Sequence, residues 1–437
     1  MKKLFFSSFA VNILVMALNM GTGIIMARFL GPYGRGELAM ATRWAVLFAG
    51  LSTLGLPGAM IYLGKNFKEK QREIFGAFLL TGALVGLSAL VICQLLTLVI
   101  MSGESREMIL LGQLALLALP FAVMTDGLIG TLQSFNSFRK VLLTRILNPV
   151  GTLAALAGLI LTGHVTVFNI ILLNVIWGAA TFFLIIYWIF KVMKPKFTKL
   201  FSNAKMLLQY GIKIYASSLV QVFGGSFDQI LLSLTLSAYA LGIYTVASSV
   251  GSILPSILYG ALNVFLAPRL MDFTGERRRQ EVSRIHAIFF YGTGAAAVCG
   301  CLALPFVIPF MYGREFSEAV LLGIILLLMS PVKVGYSILL NFFAAEGKFN
   351  VLSKTEIIGL VTGFGALLIL VRFTGAAGAA WALGAANLAK WGYLIIQAKK
   401  LKLPVAGLFR LQPGEVLALL RGFSLKKRRS LTSVPQK

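Results

Sequence analysis

The sequence has few acidic residues and few of the residues that most often bind metals. Its 437 residues include 15 Asp and Glu against 40 Lys and Arg, with two His and three Cys. Cys299 and Cys301 are two residues apart in an apolar stretch, so on a helix they point to different faces. We therefore expect no disulfide framework, no metal site and no cofactor.

Sequence patterns of common catalytic sites are absent as well. The chain contains no G-x-x-x-x-G-K-[ST] phosphate-binding loop and no G-x-S-x-G nucleophile elbow. Every connection that we predict on the outer side of a membrane is about ten residues or shorter, which leaves little room for an extramembrane active site. We therefore predict that the protein is not an enzyme.

Apolar sequence is what the chain has in abundance. Hydrophobic residues make up 58% of it and charged residues only 13%, which is outside the range of soluble globular proteins. A membrane-spanning helix needs about 17–25 mostly apolar residues. Twelve stretches meet this length: 5–27, 38–63, 74–101, 108–131, 141–162, 166–190, 207–236, 240–267, 285–311, 318–343, 352–373 and 377–398. We predict an all-α polytopic membrane protein with about 12 transmembrane helices.

The basic residues between these stretches predict the topology. With the N-terminus inside, the outer connections carry five Lys and Arg and the cytoplasmic side carries 30. Basic residues collect in cytoplasmic loops, so both termini are predicted to be cytoplasmic. The net charge of +25 is explained by this topology in the bilayer, and it requires no nucleic-acid partner.

The two halves of the chain resemble each other. Four residue pairs share an offset of 211 positions: Pro120 and Pro331, Phe138 and Phe349, Thr144 and Thr355, and Arg145 and Glu356. A second match, at an offset of 206, aligns 30–36 with 236–242. Each half has an even number of spans, so the two repeats run in the same direction and enclose a central cavity. The predicted parts are a six-helix bundle at 1–195, a basic cytoplasmic linker at 196–206, a second six-helix bundle at 207–398 and a basic cytoplasmic tail at 399–437.

Eight charged side chains lie at least four residues away from the ends of the predicted spans. A charge at the centre of a bilayer costs about 2.5–3.5 kcal/mol, so it is retained where a cavity, a partner or a function compensates. The cations are Arg43, Arg145, Lys213, Lys333 and Lys390, and the acids are Asp126, Asp228 and Glu356. The excess of cations indicates an anionic cargo.

Depth and helical spacing distinguish these cations. Lys333 lies roughly 15 Å and Lys390 roughly 12 Å from the nearer span end, whereas the other three lie shallow enough to reach the interface. Two polar faces follow the helical repeat: Ser330, Lys333, Ser337 and Asn341 in one, and Lys213, Ser217, Gln221, Gly224 and Asp228 in the other. Asn12 and Asn19 share a third face. We expect these faces to line a hydrated cavity.

Three acids are predicted to serve coupling or gating. Arg145 and Glu356 occupy equivalent repeat positions near the cytoplasmic ends of their spans, where an ion pair between them would close the inner mouth. Asp228 or Asp126 would couple transport to protons or sodium. Outward movement of an anion is also favoured by an inside-negative membrane potential, by about 2.3 kcal/mol per charge per 100 mV.

Three short motifs resemble a known family. The stretch 27–39 (ARFLGPYGRGELA), followed by a span and Gly55-Leu-Pro57, and Ala345-Glu-Gly-Lys-Phe349 are similar to bacterial polysaccharide (O-antigen, Wzx-type) flippases. These belong to the multidrug/oligosaccharidyl-lipid/polysaccharide exporter superfamily. The resemblance implies that an undecaprenyl-pyrophosphate-linked oligosaccharide is flipped from the cytoplasmic to the periplasmic leaflet by alternating access. It would serve lipopolysaccharide O-antigen or exopolysaccharide synthesis, with a polysaccharide polymerase as a partner.

The residue pattern assigns roles within this expectation. Lys333 and Lys390 would bind the pyrophosphate with help from Arg43, Arg145 and Lys213, because ammonium and guanidinium groups suit phosphate. Sugar hydroxyls would be hydrogen-bonded by Asn12, Asn19, Ser217, Gln221 and Asn341. Two alternatives remain: a multidrug cation antiporter on the same scaffold, which should place acids deepest, and a membrane enzyme acting on the same lipid carrier, which should have a long outer loop.

Overall fold

The computed structural model describes the backbone of residues 2–410. Side chains are described in that range except at 2–9, 216–231, 234, 260, 261, 263–265, 267–269, 271, 272 and 349. The predicted ligands Ser217 and Gln221 and the predicted coupling residue Asp228 therefore lie outside the described side chains.

The described part of the chain is built from α-helices. They are α1 Lys2–Ser52, α2 Leu56–Asn66, α3 Gln71–Ile100, α4 Arg106–Leu116, α5 Leu119–Ser134, α6 Phe138–Thr162, α7 Val167–Phe190, α8 Leu200–Thr235, α9 Ala238–Gly251, α10 Ile253–Asp272, α11 Gly275–Tyr312, α12 Ala319–Leu328, α13 Ser330–Ala345, α14 Phe349–Thr374 and α15 Ala376–Lys400. Short 3₁₀ turns lie at Lys68–Lys70, Arg314–Phe316 and Val405–Phe409. This confirms the all-α prediction.

Several predicted spans are broken helices. The first two spans form one element with a kink at Gly31. The φ angle of this residue is 64°, a left-handed conformation that glycine adopts without strain, and Pro32 follows it. The fourth and tenth spans break before Pro120 and Pro331, which occupy the first turns of α5 and α13, where a missing N–H is tolerated. The eighth span consists of α9 and α10, bent by 43°.

Short hydroxyl side chains begin the helices at one end of the molecule. Ser105 Oγ accepts a hydrogen bond from the Met108 amide at 3.2 Å, and Thr166 Oγ1 accepts one from the Asn169 amide at 3.2 Å. These caps satisfy amides that the first helical turn leaves without partners. The turns at this end are the ones that the charge distribution predicts to lie outside, and we call it the predicted outer face.

The helices have the length and composition of a multi-pass membrane protein. Among the described residues, eight helices are long and apolar enough to cross a membrane, or nine when α9 and the start of α10 count as one span. One of these, 10–66, contains two predicted spans. The protein is therefore a multi-pass membrane protein.

The repeat is visible in the helix boundaries. Helices α5 and α13 have 16 residues each and begin 211 positions apart, and α6 and α14 also begin 211 positions apart. This is the offset at which Arg145 aligns with Glu356. The two halves therefore share a register as well as a helix count.

Each half has its own apolar core. In the N-terminal bundle, buried side chains of α2, α3, α5 and α7 pack together, and in the C-terminal bundle those of α10, α11, α13 and α15 do. The start of α8 belongs to the first core, since Leu207 is buried there and the Tyr210 and Tyr62 rings stack at 5.2 Å. A third cluster joins the bundles near the predicted outer face, with Leu38 and Val167 from one half and Tyr244 and Leu326 from the other.

Candidate functional site

A cavity of about 730 Å³ lies inside the N-terminal bundle, between α1, α5, α6 and α7. Its wall mixes apolar side chains with amides and hydroxyls. The polar members are Asn12, Asn19, Thr42, Thr125, Asp126, Thr144, Arg145, Asn148, Thr152, Asn174 and Thr181. Such a wall suits a ligand that is polar and also has apolar faces.

Four of the five predicted site residues of the first half meet in this cavity. Asn12, Asn19, Asp126 and Arg145 all line it, although they come from three different helices. Arg145 Nη1 lies 3.5 Å from Asn12 Oδ1, at the outer limit of a hydrogen bond. Arg145 is the cation among the lining residues, and Asp126 is the acid. The cavity thus offers a guanidinium, a carboxylate and several amides to one ligand.

Sequence reasoning missed several polar lining residues, although a signal was present. Thr144, Asn148 and Thr152 recur every four residues on α6, so they share the face that carries Arg145. Asn174 and Thr181 are seven apart on α7 and also face the cavity. The residues of these stripes are themselves uncharged, whereas the predicted site was centred on charged side chains.

Lys390 and Glu356 form an ion pair in the C-terminal bundle. Lys390 Nζ lies 2.6 Å from Glu356 Oε2, and the Tyr336 hydroxyl donates a hydrogen bond to the other carboxylate oxygen. The ammonium also lies 5.5 Å from the centroid of the Tyr336 ring, within the range of a cation–π interaction. The side chains of Lys390 and Glu356 are 12% and 17% exposed.

The predicted contact between Arg145 and Glu356 is not present in this conformation. Both side chains are described, and they have different partners in different bundles: Asn12 for Arg145 and Lys390 for Glu356. The physical reason is that α14 and α15 are adjacent, so the long Lys390 side chain reaches the carboxylate within its own bundle.

The other predicted cations lie apart from the N-terminal cavity. Lys333 is partly buried on α13, and its backbone carbonyl accepts a hydrogen bond from the Tyr259 hydroxyl at 3.0 Å. Lys213 is exposed on α8, with Nζ 5.7 Å from the Tyr210 ring centroid. Arg43 is partly buried on α1.

The amide side chain of Asn341 donates a hydrogen bond at 2.9 Å to the Ser337 carbonyl, one turn earlier in α13. Lys333 and Asn341 thus share a helix face, as the spacing predicted.

The two bundles close on each other at the predicted outer face through a pair of glycines. A Cβ atom built on Gly36 would lie 1.6 Å from the carbonyl oxygen of Ala238, and one built on Gly242 would lie 1.9 Å from that of Pro32. Gly36 aligns with Gly242, and Pro32 with Ala238, at the offset of 206. The contact is therefore reciprocal, and each bundle places a carbonyl against the other bundle's glycine.

Arg28 adds a polar contact at the same end. Its Nε donates to the Met311 carbonyl at 2.8 Å, and its Nη2 donates to the Phe310 carbonyl. The guanidinium thereby satisfies carbonyls at the end of α11, which has no further helical turn to bond them. The structure is closed at the predicted outer face.

Comparisons with known proteins agree with this architecture. The structure of the lipid II flippase MurJ in an inward closed conformation superposes with a TM-score of 0.76 at 15% identity, over 98% of this chain and 94% of that one. An inward-facing multidrug resistance MATE family transporter of the MOP superfamily superposes with a TM-score of 0.67 at 14% identity, over 92% of this chain and 98% of that one. At such identities the likeness shows the fold. The compared structures have twelve helices arranged in two lobes.

A family model supplies the sequence relationship. No curated protein matches the chain. The model described as polysaccharide biosynthesis protein matches residues 1–274, and this agrees with the resemblance seen in the motifs. Since the match covers more than half of the sequence, the chain belongs to the polysaccharide biosynthesis protein family.

Proposed function

We propose that the protein is a flippase for an undecaprenyl-pyrophosphate-linked oligosaccharide, acting in the bacterial cytoplasmic membrane with both termini in the cytoplasm. The observation that carries the proposal is the cavity of about 730 Å³, in which amides and hydroxyls surround a guanidinium. Family membership supports a role in polysaccharide synthesis. The likeness to a lipid II flippase supports a lipid-linked cargo.

The lining residues suit the parts of such a substrate. Asparagine and threonine side chains both donate and accept hydrogen bonds, as sugar hydroxyls require. Arg145 can bind a phosphate through two parallel N–H groups. The volume lies in the range of about 300–1,000 Å³ that is usual for ligand sites. The lipid tail would stay in the bilayer while the polar part occupies the cavity.

The remaining predicted ligands belong to the same proposal. Lys333 and Lys390 would assist with the phosphates, with Arg43 and Lys213 nearer the interface, while Asn341, Ser217 and Gln221 would contact the sugars. Asp126 or Asp228 would couple movement to protons or sodium. The product would enter O-antigen or exopolysaccharide assembly, where a polymerase would take it over. None of these roles requires catalysis or a cofactor.

A reconstituted transport assay tests the proposal. Proteoliposomes that contain a lipid-linked oligosaccharide are expected to expose it to an external glycosidase when they hold the wild-type protein. Arg145→Ala should lower the initial rate at least tenfold, and Arg145→Lys should restore part of it, because a lysine keeps the charge but loses the paired N–H groups. Arg139→Ala, an exposed arginine on the same helix away from the cavity, is the matched control.

One observation favours a second candidate, a multidrug cation antiporter. Asp126 lines the cavity, and a carboxylate there could bind a cationic drug. The same liposomes decide between the two, because an antiporter would move a lipophilic cation such as ethidium and lose this activity in Asp126→Asn. Wild-type vesicles that leave the oligosaccharide inaccessible but move ethidium would overturn the flippase proposal.

A further inference from the structure

The C-terminal bundle has a counterpart of one part of the N-terminal cavity wall. The offset of 211 places Tyr336, Glu356 and Gly359 at the positions of Thr125, Arg145 and Asn148, which line that cavity. The helices that carry them begin at the same offset, so the correspondence holds for the structure as well as for the sequence.

The side chain of Lys390 occupies this counterpart. A Cβ atom at Gly359 would lie 1.9 Å from Cε of Lys390 and 2.8 Å from its Cδ, so the aliphatic stem passes directly over the glycine. Its Nζ then reaches Glu356 at 2.6 Å, beside the Tyr336 ring. Where the first bundle has an asparagine and an open space, the second has a glycine and a lysine.

The groups around the carboxylate are those of an anion site. An ammonium and a phenolic hydroxyl both donate to the Glu356 carboxylate, and the same two donors suit the oxygens of a phosphate. Both members of the ion pair are partly exposed, so solvent or a ligand can reach them.

We infer that Lys390 and Tyr336 form an anion-binding site for the lipid pyrophosphate, and that the Glu356 carboxylate occupies it whenever the substrate does not. This inference rests on the proposed function. It adds a role for the acid: Glu356 competes with the substrate for Lys390.

Competition of this kind has a consequence for transport. A mostly buried ammonium with no counter-ion would hold a pyrophosphate strongly, because it would have no other anionic partner. With Glu356 next to it, the ammonium regains a carboxylate as the substrate leaves. The ion pair therefore weakens binding and speeds release at the end of the transport cycle.

Binding of a probe without sugar tests the inference separately from the proposed function. Wild-type protein in nanodiscs is titrated with a fluorescent short-chain prenyl pyrophosphate, and inorganic pyrophosphate is used as competitor. Glu356→Gln should bind the probe at least tenfold more tightly and flip the lipid-linked oligosaccharide more slowly. The additional substitution Lys390→Gln should abolish the gain in affinity.

Two further variants complete the design. Glu346→Gln removes a carboxylate that is paired with Arg278 at 2.7 Å in the same bundle, and it should leave the affinity unchanged. Glu356→Asp, which shortens the acid by one methylene, should raise the affinity by a smaller factor and serves if the glutamine variant does not fold.

Unchanged affinity in both Glu356 variants, or a gain that persists without Lys390, would overturn the inference. Failure of the wild type to flip the oligosaccharide would instead remove the proposed function, and the binding result would be unaffected.

Discussion

Gly359 shows how a single missing Cβ atom determines a charge pair. The stem of Lys390 lies where that atom would be, and this placement brings the ammonium to Glu356. A charge inside a membrane protein is tolerated when it has such a partner. The glycine is therefore a structural requirement of the ion pair, although it makes no polar contact itself.

We expect Gly359→Ala to destabilise the protein. The methyl group would displace Lys390 and separate the pair, at a cost of about 1–3 kcal/mol, which is typical of an overpacked interior. Thermal unfolding in detergent, followed by tryptophan fluorescence, should show a lower midpoint. Gly365→Ala on the same helix has no atom within 4 Å of the new methyl group and should keep or raise the midpoint, because alanine favours a helix more than glycine does. Equal midpoints for the two variants would contradict this account of Lys390.

Individual residues also show how much of the candidate site can be predicted from the sequence. Arg145, Asn12 and Asn19 were found from charge and spacing, and they line one cavity. The partner of Lys390 was not found, because the adjacency of α14 and α15 is a property of the fold and depth in the membrane does not reveal it. The polar stripe of Asn148 and Thr152 was readable from its period of four.

At the level of the helices, the breaks show how far the sequence predicts the fold. Gly31, Pro120 and Pro331 were visible in the sequence as breakers, and each lies at a kink or a first turn. The break between α9 and α10 lies at 251–253, between Gly251 at the end of α9 and Pro255 in the first turn of α10. A proline in the first turn of the following helix therefore accompanies the breaks before α5, α10 and α13.

The turn after the Gly31 kink brings Gly36 against the other bundle, and this contact should control the outer closure. We expect Gly36→Val to hold the predicted outer face open, because its side chain would overlap the carbonyl of Ala238. In a cysteine-free background, Thr42→Cys in the cavity wall should then react with a membrane-impermeant maleimide added from the outer side.

The control for this labelling is Gly23→Val in the same α1 helix, where a Cβ atom has no neighbour within 4 Å. It should react as slowly as the parent protein. Rapid labelling of the parent and of both variants alike would show that the glycine contact does not close this face.

At the scale of the whole molecule, the two bundles share a register but differ in charge. The N-terminal bundle holds an open cavity with Arg145, and the C-terminal bundle holds a closed ion pair at the equivalent positions. The two bundles thus differ in charge and packing at equivalent positions, among them Asn148 and Gly359. This asymmetry is visible in the sequence as the alignment of an arginine with a glutamate, and an Arg145–Glu356 contact in another conformation stays a prediction.

The reciprocal contact of Gly36 and Gly242 is isologous, as in a homodimer, since each half uses the same patch for the same purpose. The interface between the bundles then contains two equivalent glycine contacts, and a steric clash at either one separates the whole interface. We therefore expect the two substitutions to be non-additive: the Gly36→Val/Gly242→Val double variant should expose Thr42→Cys no faster than either single variant. Labelling rates that multiply in the double variant would mean that the two glycine contacts act independently.

The same symmetry implies that a six-helix ancestor could pair with a second copy of itself through this interface before the two were joined in one chain.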